Sequence, residues 1–183
     1  MSAARLLLAA LLGAGVCCAA GAWGQEAWHR LSPAQLKELR TTLAPTHVVL
    51  VAPRVLPEGF RLVAFSVEAI PYVNGDFDAG YSLDYRGPAN RCFALTGTKS
   101  GPRGLQALPP EPSALGSVPL YRDPPGEPAA QPGGLVAFLP VSGNLILITP
   151  SYPIETPEGA FVSCTPLSEA EFRRVVASVE RLP

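Results

Sequence analysis

The sequence predicts an α+β domain: a mainly antiparallel sheet of about six or seven strands, with a short helix before it and a helix after it. Three observations predict this class. Apolar and polar residues alternate from 81 to 86, as in a strand with one buried face. Two apolar runs, at 134–141 and 144–149, are separated by a short turn. Capping-box patterns at Ser32 and Ser168 mark two helix starts.

The first helix follows the capping serine directly. Pro33 occupies the first helical position, where its missing N–H has no cost. Leu36, Leu39 and Leu43 recur at helical spacing and form one apolar face. Pro45 ends the helix.

The last helix begins after Ser168 and closes the chain. Its apolar side chains share one face, which we expect to pack on one face of the sheet. These side chains are Phe172, Val175, Val176 and Val179.

Further strands are predicted between the helices. A β-branched run lies at 48–51, and residues 60–69 follow as a strand after a Pro-Glu-Gly turn. Residues 81–86 and 91–96 flank a Gly-Pro-Ala-Asn turn and form a hairpin. A last strand is expected at 160–165.

A proline-rich stretch interrupts this pattern at 102–132, where nine residues are proline. Proline removes a hydrogen-bond donor, so we predict a long surface excursion with one short strand at Val118–Tyr121. The predicted organisation is therefore a segment at 25–47 with a short helix, followed by an α+β domain at 48–183 that contains the excursion.

The first 24 residues read as a signal peptide. Arg5 precedes an uncharged apolar run at 6–20, and small residues follow at the spacing of a cleavage site. The mature chain is expected to begin at Trp23 or Gln25. Such a signal predicts that the protein is periplasmic or secreted.

Two alternatives to a cleaved signal stay open. Residues 6–25 carry no charge and are just long enough to span a bilayer, so an uncleaved anchor would bring the domain to a membrane. Lipid on Cys17 or Cys18 is the second alternative, although Val16 replaces the small residue expected before a lipidated cysteine.

The remaining cysteines are Cys92 and Cys164, each in a strand-like run. An even pair in an exported chain predicts a disulfide, with two separate buried thiols as the alternative. Such a bond would contribute about 4 kcal/mol in the chain-entropy model.

Charge limits the classes of partner. The formal net charge is −1 and no basic run occurs, so the sequence gives no sign of nucleic-acid binding.

Two short motifs and a strand pattern resemble a known family. Residues 56–62, Leu-Pro-Glu-Gly-Phe-Arg-Leu, are similar to the opening of the DUF4367-like domains of exported bacterial proteins, and residues 167–171, Leu-Ser-Glu-Ala-Glu, to their closing helix. Tyr81 and Tyr85 match strand tyrosines of that family, and the resemblance spans 48–182. It implies an extracytoplasmic antiparallel sheet with a packed helix and no established catalytic residue.

A calcium loop is one interpretation of Asn74, Asp76 and Asp78, whose oxygens occupy alternating positions. The glycine comes one residue late, and Tyr85 stands at position twelve where the loop has glutamate. A connecting turn, in which Asn, Gly and Asp are favoured, is the simpler interpretation. The sequence thus predicts no established metal site and no cofactor.

No catalytic residue is predicted. The two histidines, His29 and His47, stand near no nucleophile motif, and residues 98–101 read as a turn. Acid–base chemistry would need paired carboxylates, for which Asp76, Asp78 and Asp84 are the nearest group. The five tyrosines could line a groove, but packing in the sheet explains them more simply: they are Tyr72, Tyr81, Tyr85, Tyr121 and Tyr152.

These observations favour an exported, non-catalytic binding or interaction domain whose partner is an unidentified envelope protein. A carrier of an apolar ligand such as a lipid is the alternative, and a pocket between sheet and helix would support it. A small envelope hydrolase is the less favoured third reading.

Overall fold

The computed structural model describes residues 31–73, 77–98, 105–122, 134–141, 144–149, 154–155, 161–162 and 164–182. The strands follow one another between two α-helices and pair antiparallel, as in an α+β fold, which confirms the predicted class. In chain order the elements are α1 (Pro33–Leu43), β1 (Val51–Pro53), β2 (Arg61–Pro71), β3 (Phe77–Arg86), a 3-10 helix (Pro88–Asn90), β4 (Cys92–Thr98), β5 (Gln106–Ser113), β6 (Gly116–Arg122), β7 (Leu135–Val141), β8 (Asn144–Thr149), β9 (Ile154–Glu155), β10 (Phe161–Val162), α2 (Glu169–Ala177) and β11 (Val179–Arg181).

The main sheet has seven strands in the order β2-β3-β4-β8-β7-β6-β5, and every neighbouring pair is antiparallel. The predicted hairpins β3–β4 and β7–β8 are confirmed. Two small antiparallel pairs lie beside this sheet, β1 with β11 and β9 with β10. The sheet therefore has two edges, β2 and β5.

One face of the sheet carries the core. Along β3, burial alternates strictly, so Tyr81, Leu83 and Tyr85 face the core while the residues between them face outward. Leu39 of α1 and Phe172 of α2 belong to the same buried cluster, so both helices cover this face. On the opposite face, hydroxyls of Ser66, Ser82 and Thr96 lie beside one another across β2, β3 and β4.

Both helix starts follow the predicted capping boxes. In α1, the Gln35 amide donates to the Ser32 hydroxyl at 3.2 Å, and the Gln35 side chain accepts from the Ser32 amide at 2.8 Å. Ser168 and Glu171 repeat the arrangement in α2. The predicted extent of the last helix is wrong at its end: α2 stops at Ala177, and Val179 is buried in β11 instead of on the helix face.

Regular strands occupy the first half of the proline-rich stretch, so the expected irregular excursion is wrong there. β5 and β6 form a hairpin that joins the sheet through β7. The ladder skips Pro109 and Pro110 of β5, and opposite them Pro119 of β6 has no ladder partner either. The three prolines thus lie at a bulge, where no backbone donor is needed. In addition, β5 is an edge strand, which tolerates proline.

The predicted disulfide between Cys92 and Cys164 is confirmed, with the two Cα atoms 5.7 Å apart. Backbone hydrogen bonds reinforce the junction, because the Cys92 amide donates to the Thr165 carbonyl at 3.1 Å and the Thr165 amide to the Asn90 carbonyl at 3.0 Å. The segment before α2 is therefore fixed to the start of β4.

Candidate functional site

The edge strand β2 carries the exposed apolar surface of the molecule. In the part of the chain that the structure describes, the exposed large apolar side chains all lie in β2 or directly after it. Their exposed fractions are 41% for Val63, 54% for Ile70, 52% for Tyr72 and 110% for Val73. Apolar side chains clustered at one place on a surface mark a site of interaction.

The two edges of the sheet differ in protection. β5 combines a bulge with three prolines, Pro109, Pro110 and Pro112, which prevent regular pairing with a further strand. β2 has one bulge, at Val63, but no proline before Pro71. All of its eleven residues except Val63 pair on one side with β3. The outer side of β2 therefore presents backbone donors and acceptors that another strand can bind.

The two faces of β2 have different chemistry. Leu62, Phe65 and Val67 lie on the core side and are half-buried, because the core covers them only in part. Arg61 and Glu68 lie on the outer face, and both are exposed. Neither has an ion-pair partner among the described residues. The core side of the edge is thus apolar, whereas the outer face carries both charged residues of β2 together with Ile70.

A shallow cleft of about 270 Å³ lies on the outer face beside this edge. Glu68 and Asp78 give it two carboxylates. Hydroxyls of Ser66, Ser82 and Thr96 also line it, and those of Ser82 and Thr96 are 3.5 Å apart. The outer face next to β2 is therefore hydrophilic and locally negative.

Of the candidate acid–base carboxylates, the structure separates Asp78 from Asp84, while Asp76 lies outside the described residues. Asp78 and Asp84 lie on the same face of β3 but six residues apart, which separates them by about 20 Å in an extended strand. Burial raises the pKa of Asp84, while a hydrogen bond with Ser82 and the charge of Arg86 partly oppose that rise. Asp84 is therefore not paired with Asp78 on this strand.

A second cleft, of about 250 Å³, lies between the 55–58 turn and α2. On its wall the Arg91 guanidinium is 2.7 Å from the Glu171 carboxylate and 5.4 Å from the centre of the Phe60 ring. Burial raises the pKa of Glu171, but hydrogen bonds from Ser168 and Arg91 outweigh it and hold the pKa below its usual value. This arginine therefore joins β4 to the start of α2.

Three of the tyrosines, Tyr81, Tyr85 and Tyr121, pack in the sheet as the simpler interpretation predicted. Tyr81 and Tyr85 are buried in the core, and Tyr85 stacks on Phe93 with ring centres 4.7 Å apart. Tyr121 packs edge-on against Phe138. Tyr72 is exposed directly after β2, so the four described tyrosines do not line a common groove.

Several predicted features fall outside the described residues: the signal segment at 1–24, His29, Asn74, Asp76, residues 99–101 and Tyr152. Of the calcium candidates, the structure places only Asp78, as an exposed strand residue. His47 is exposed between α1 and β1. Within the described ranges, no cluster of three metal-binding side chains occurs, and no helix is long and apolar enough to cross a membrane.

No protein-family model, curated protein or solved structure matches the chain. The resemblance to the DUF4367-like domains therefore stays a prediction. Sequence reasoning identified β2 as a strand but missed its role as a free edge. The long run from 61 to 71 without proline, set against the proline-rich β5, is the signal that distinguishes the two edges once the strand order is known.

Proposed function

We propose that this chain is an exported, non-catalytic interaction domain that binds an extended strand of a partner protein at the free edge of β2. The observation that carries the proposal is that, among the described residues, no further strand pairs with the outer edge of β2, and the exposed large apolar side chains lie on this strand or directly after it. In this mode of recognition, backbone hydrogen bonds provide affinity and alternate side chains provide specificity.

The contrast between the edges supports this role. An exposed edge strand favours aggregation unless it is blocked, and β5 has the prolines and bulge that block it. A chain that protects one edge with a bulge and three prolines, and leaves residues 61–70 of the other edge free of proline, has retained a surface for pairing.

The alternatives receive less support. Both described clefts are partly lined by charged or hydroxyl side chains, so neither favours an apolar ligand. A hydrolase would need converging catalytic groups, and the carboxylates of Asp78 and Asp84 lie far apart on β3.

Strand binding is tested with a displayed library of random peptides of 11 residues, the length of β2. Selected peptides are measured by fluorescence anisotropy against wild type and against the Val63→Lys/Ile70→Lys variant. Both lysines replace exposed residues, so the fold should tolerate them while the edge gains two charges. We expect affinity to fall more than about tenfold, since added lysine charges oppose edge pairing.

The matched control, Ala107→Lys/Ala114→Lys, adds the same charges at exposed positions of the β5–β6 hairpin, at the opposite edge. It should bind the selected peptides like wild type, and hydrogen exchange should show bound peptide protecting β2 amides. Equal binding by the β2 variant, or the absence of any enriched peptide, would refute strand binding at β2.

Export is the second part of the proposal, supported by the apolar N-terminal segment and by the disulfide. Expression of the full chain in a bacterium, followed by intact-mass analysis of the exported fraction, should give a mature chain that begins at Trp23 or Gln25. A full-length mass, or added acyl chains on Cys17 or Cys18, contradicts the cleaved form.

A further inference from the structure

We infer that the strand bound by β2 is β2 of a second copy of this chain, in an antiparallel dimer whose two-fold axis passes through Phe65. This inference rests on the proposed function, because it names the partner of the same edge. β2 contains only two charged residues, Arg61 and Glu68, and their positions determine which register a second strand can adopt.

The pairing with β3 defines the position of each residue along the edge. Arg61 pairs with Arg86 of β3, and Glu68 pairs with Gly80. Position 83 lies midway between them on β3, and its partner on β2 is Phe65. This count includes the bulge, because Val63 has no partner on β3. A two-fold axis at Phe65 therefore places Arg61 of one copy opposite Glu68 of the other, twice.

The local charges at both ends agree with this register. Arg61 lies directly opposite Arg86, so two guanidinium groups meet at that end of the outer face. Glu68 lines the cleft together with Asp78, so the other end is negative. The two-fold axis places the positive end of β2 in each copy opposite the negative end of β2 in the other, and opposite charges across neighbouring strands stabilise their pairing. A shift of the axis to Glu68 would instead oppose two like charges.

The core side of the edge is complementary in the same register. Leu62 of one copy lies opposite Val67 of the other, and the two Phe65 side chains meet at the axis. All three residues are half-buried in the single chain, so pairing covers apolar surface that the core leaves exposed. Apolar pairs on one face and ion pairs on the other make β2 self-complementary.

The test is sedimentation velocity of the full mature chain from about 1 µM to about 1 mM, the range of weak association. Wild type should form a dimer as concentration rises. Arg61→Glu and Glu68→Arg each place like charges opposite one another at both ends, and each should weaken the dimer about tenfold or more. The double variant Arg61→Glu/Glu68→Arg restores both pairs and should recover wild-type association.

The control variant Glu38→Arg/Arg40→Glu makes the same exchange at exposed positions of α1 and should not change association. Circular dichroism and urea unfolding verify that every variant is folded. A dimer that single reversals do not weaken, or that the double variant does not recover, refutes this register.

A wild-type chain that stays monomeric at all concentrations refutes the second-copy partner. The peptide selection then separates the two ideas. Peptides that still bind at β2 leave the strand-binding function standing without self-association, whereas failure of both experiments removes the function as well.

Discussion

The hydroxyl of Tyr81 provides the sharpest test of how this fold is held together. It lies in the core and accepts a hydrogen bond from the Val51 amide at 2.9 Å. It is also 3.3 Å from the carbonyl oxygens of Val49 and Val51, to either of which it can donate. One side chain of the main sheet thus satisfies the backbone of β1, which belongs to a different sheet.

Tyr81→Phe removes this hydroxyl and keeps the ring, so the change creates no large cavity. It leaves the buried Val51 amide without its acceptor, which costs about 1–3 kcal/mol. For a domain of this size, a loss of about 2 kcal/mol lowers the midpoint of thermal unfolding by about 6 °C. Urea denaturation at neutral pH measures the free energy directly.

The matched control is Tyr121→Phe. Tyr121 is also a sheet tyrosine in contact with a phenylalanine, but its hydroxyl forms no hydrogen bond with the described residues. That variant should keep its stability within about 0.5 kcal/mol of wild type, as typical changes away from buried polar groups do. If Tyr81→Phe is equally stable, the hydroxyl does not hold β1 and the reasoning is wrong.

The pH dependence of stability in alkaline solution is a second test of Tyr81. Burial raises the pKa of Tyr81 above its ordinary value, despite a hydrogen bond from the Val51 amide that lowers it. Above about pH 10 the unfolded chain loses this proton while the folded chain keeps it. Stability is therefore complete below that pH and falls above it by up to about 1.4 kcal/mol per pH unit. Tyr81→Phe should lose this part of the pH dependence.

Other variants test the remaining contacts. Replacing Cys92 and Cys164 together by serine should lower the free energy of unfolding by about 4 kcal/mol, and wild type in reductant should unfold at the same urea concentration as the variant. Gly97→Ala should unfold at lower temperature in a thermal melt, because its Cβ would overlap the Tyr81 ring. Glu171→Ala removes a helix cap and an ion pair with Arg91, and urea denaturation should show a loss of about 1–2 kcal/mol.

Local patterns were sufficient to locate much of the fold. The alternation from 81 to 86 and the two capping serines predicted elements that depend on neighbours within one strand or one helical turn. The disulfide was predictable because only two cysteines lie outside the predicted signal segment. In each case the information lies within a few residues or in a simple count.

Long-range pairing was not predictable in the same way. Three prolines at 109, 110 and 119 argue against strands when read singly, but they become compatible once a bulge places them opposite one another. Val179 fits the periodicity of the last helix, yet in the structure it belongs to β11 and pairs with Pro53 of β1. The candidate site depends on β2 lying at an edge, and strand order follows from contacts that no local pattern specifies.

The pairing of β1 with β11 has a consequence for the order in which this chain is made. β1 is the first strand of the described chain and β11 the last, so this pair forms only after the chain has been synthesised as far as β11. The disulfide adds a second long-range link, since Cys164 comes shortly before α2. Until then β1 lacks the strand partner that the structure gives it, so the first described strand takes its final place only with the last one.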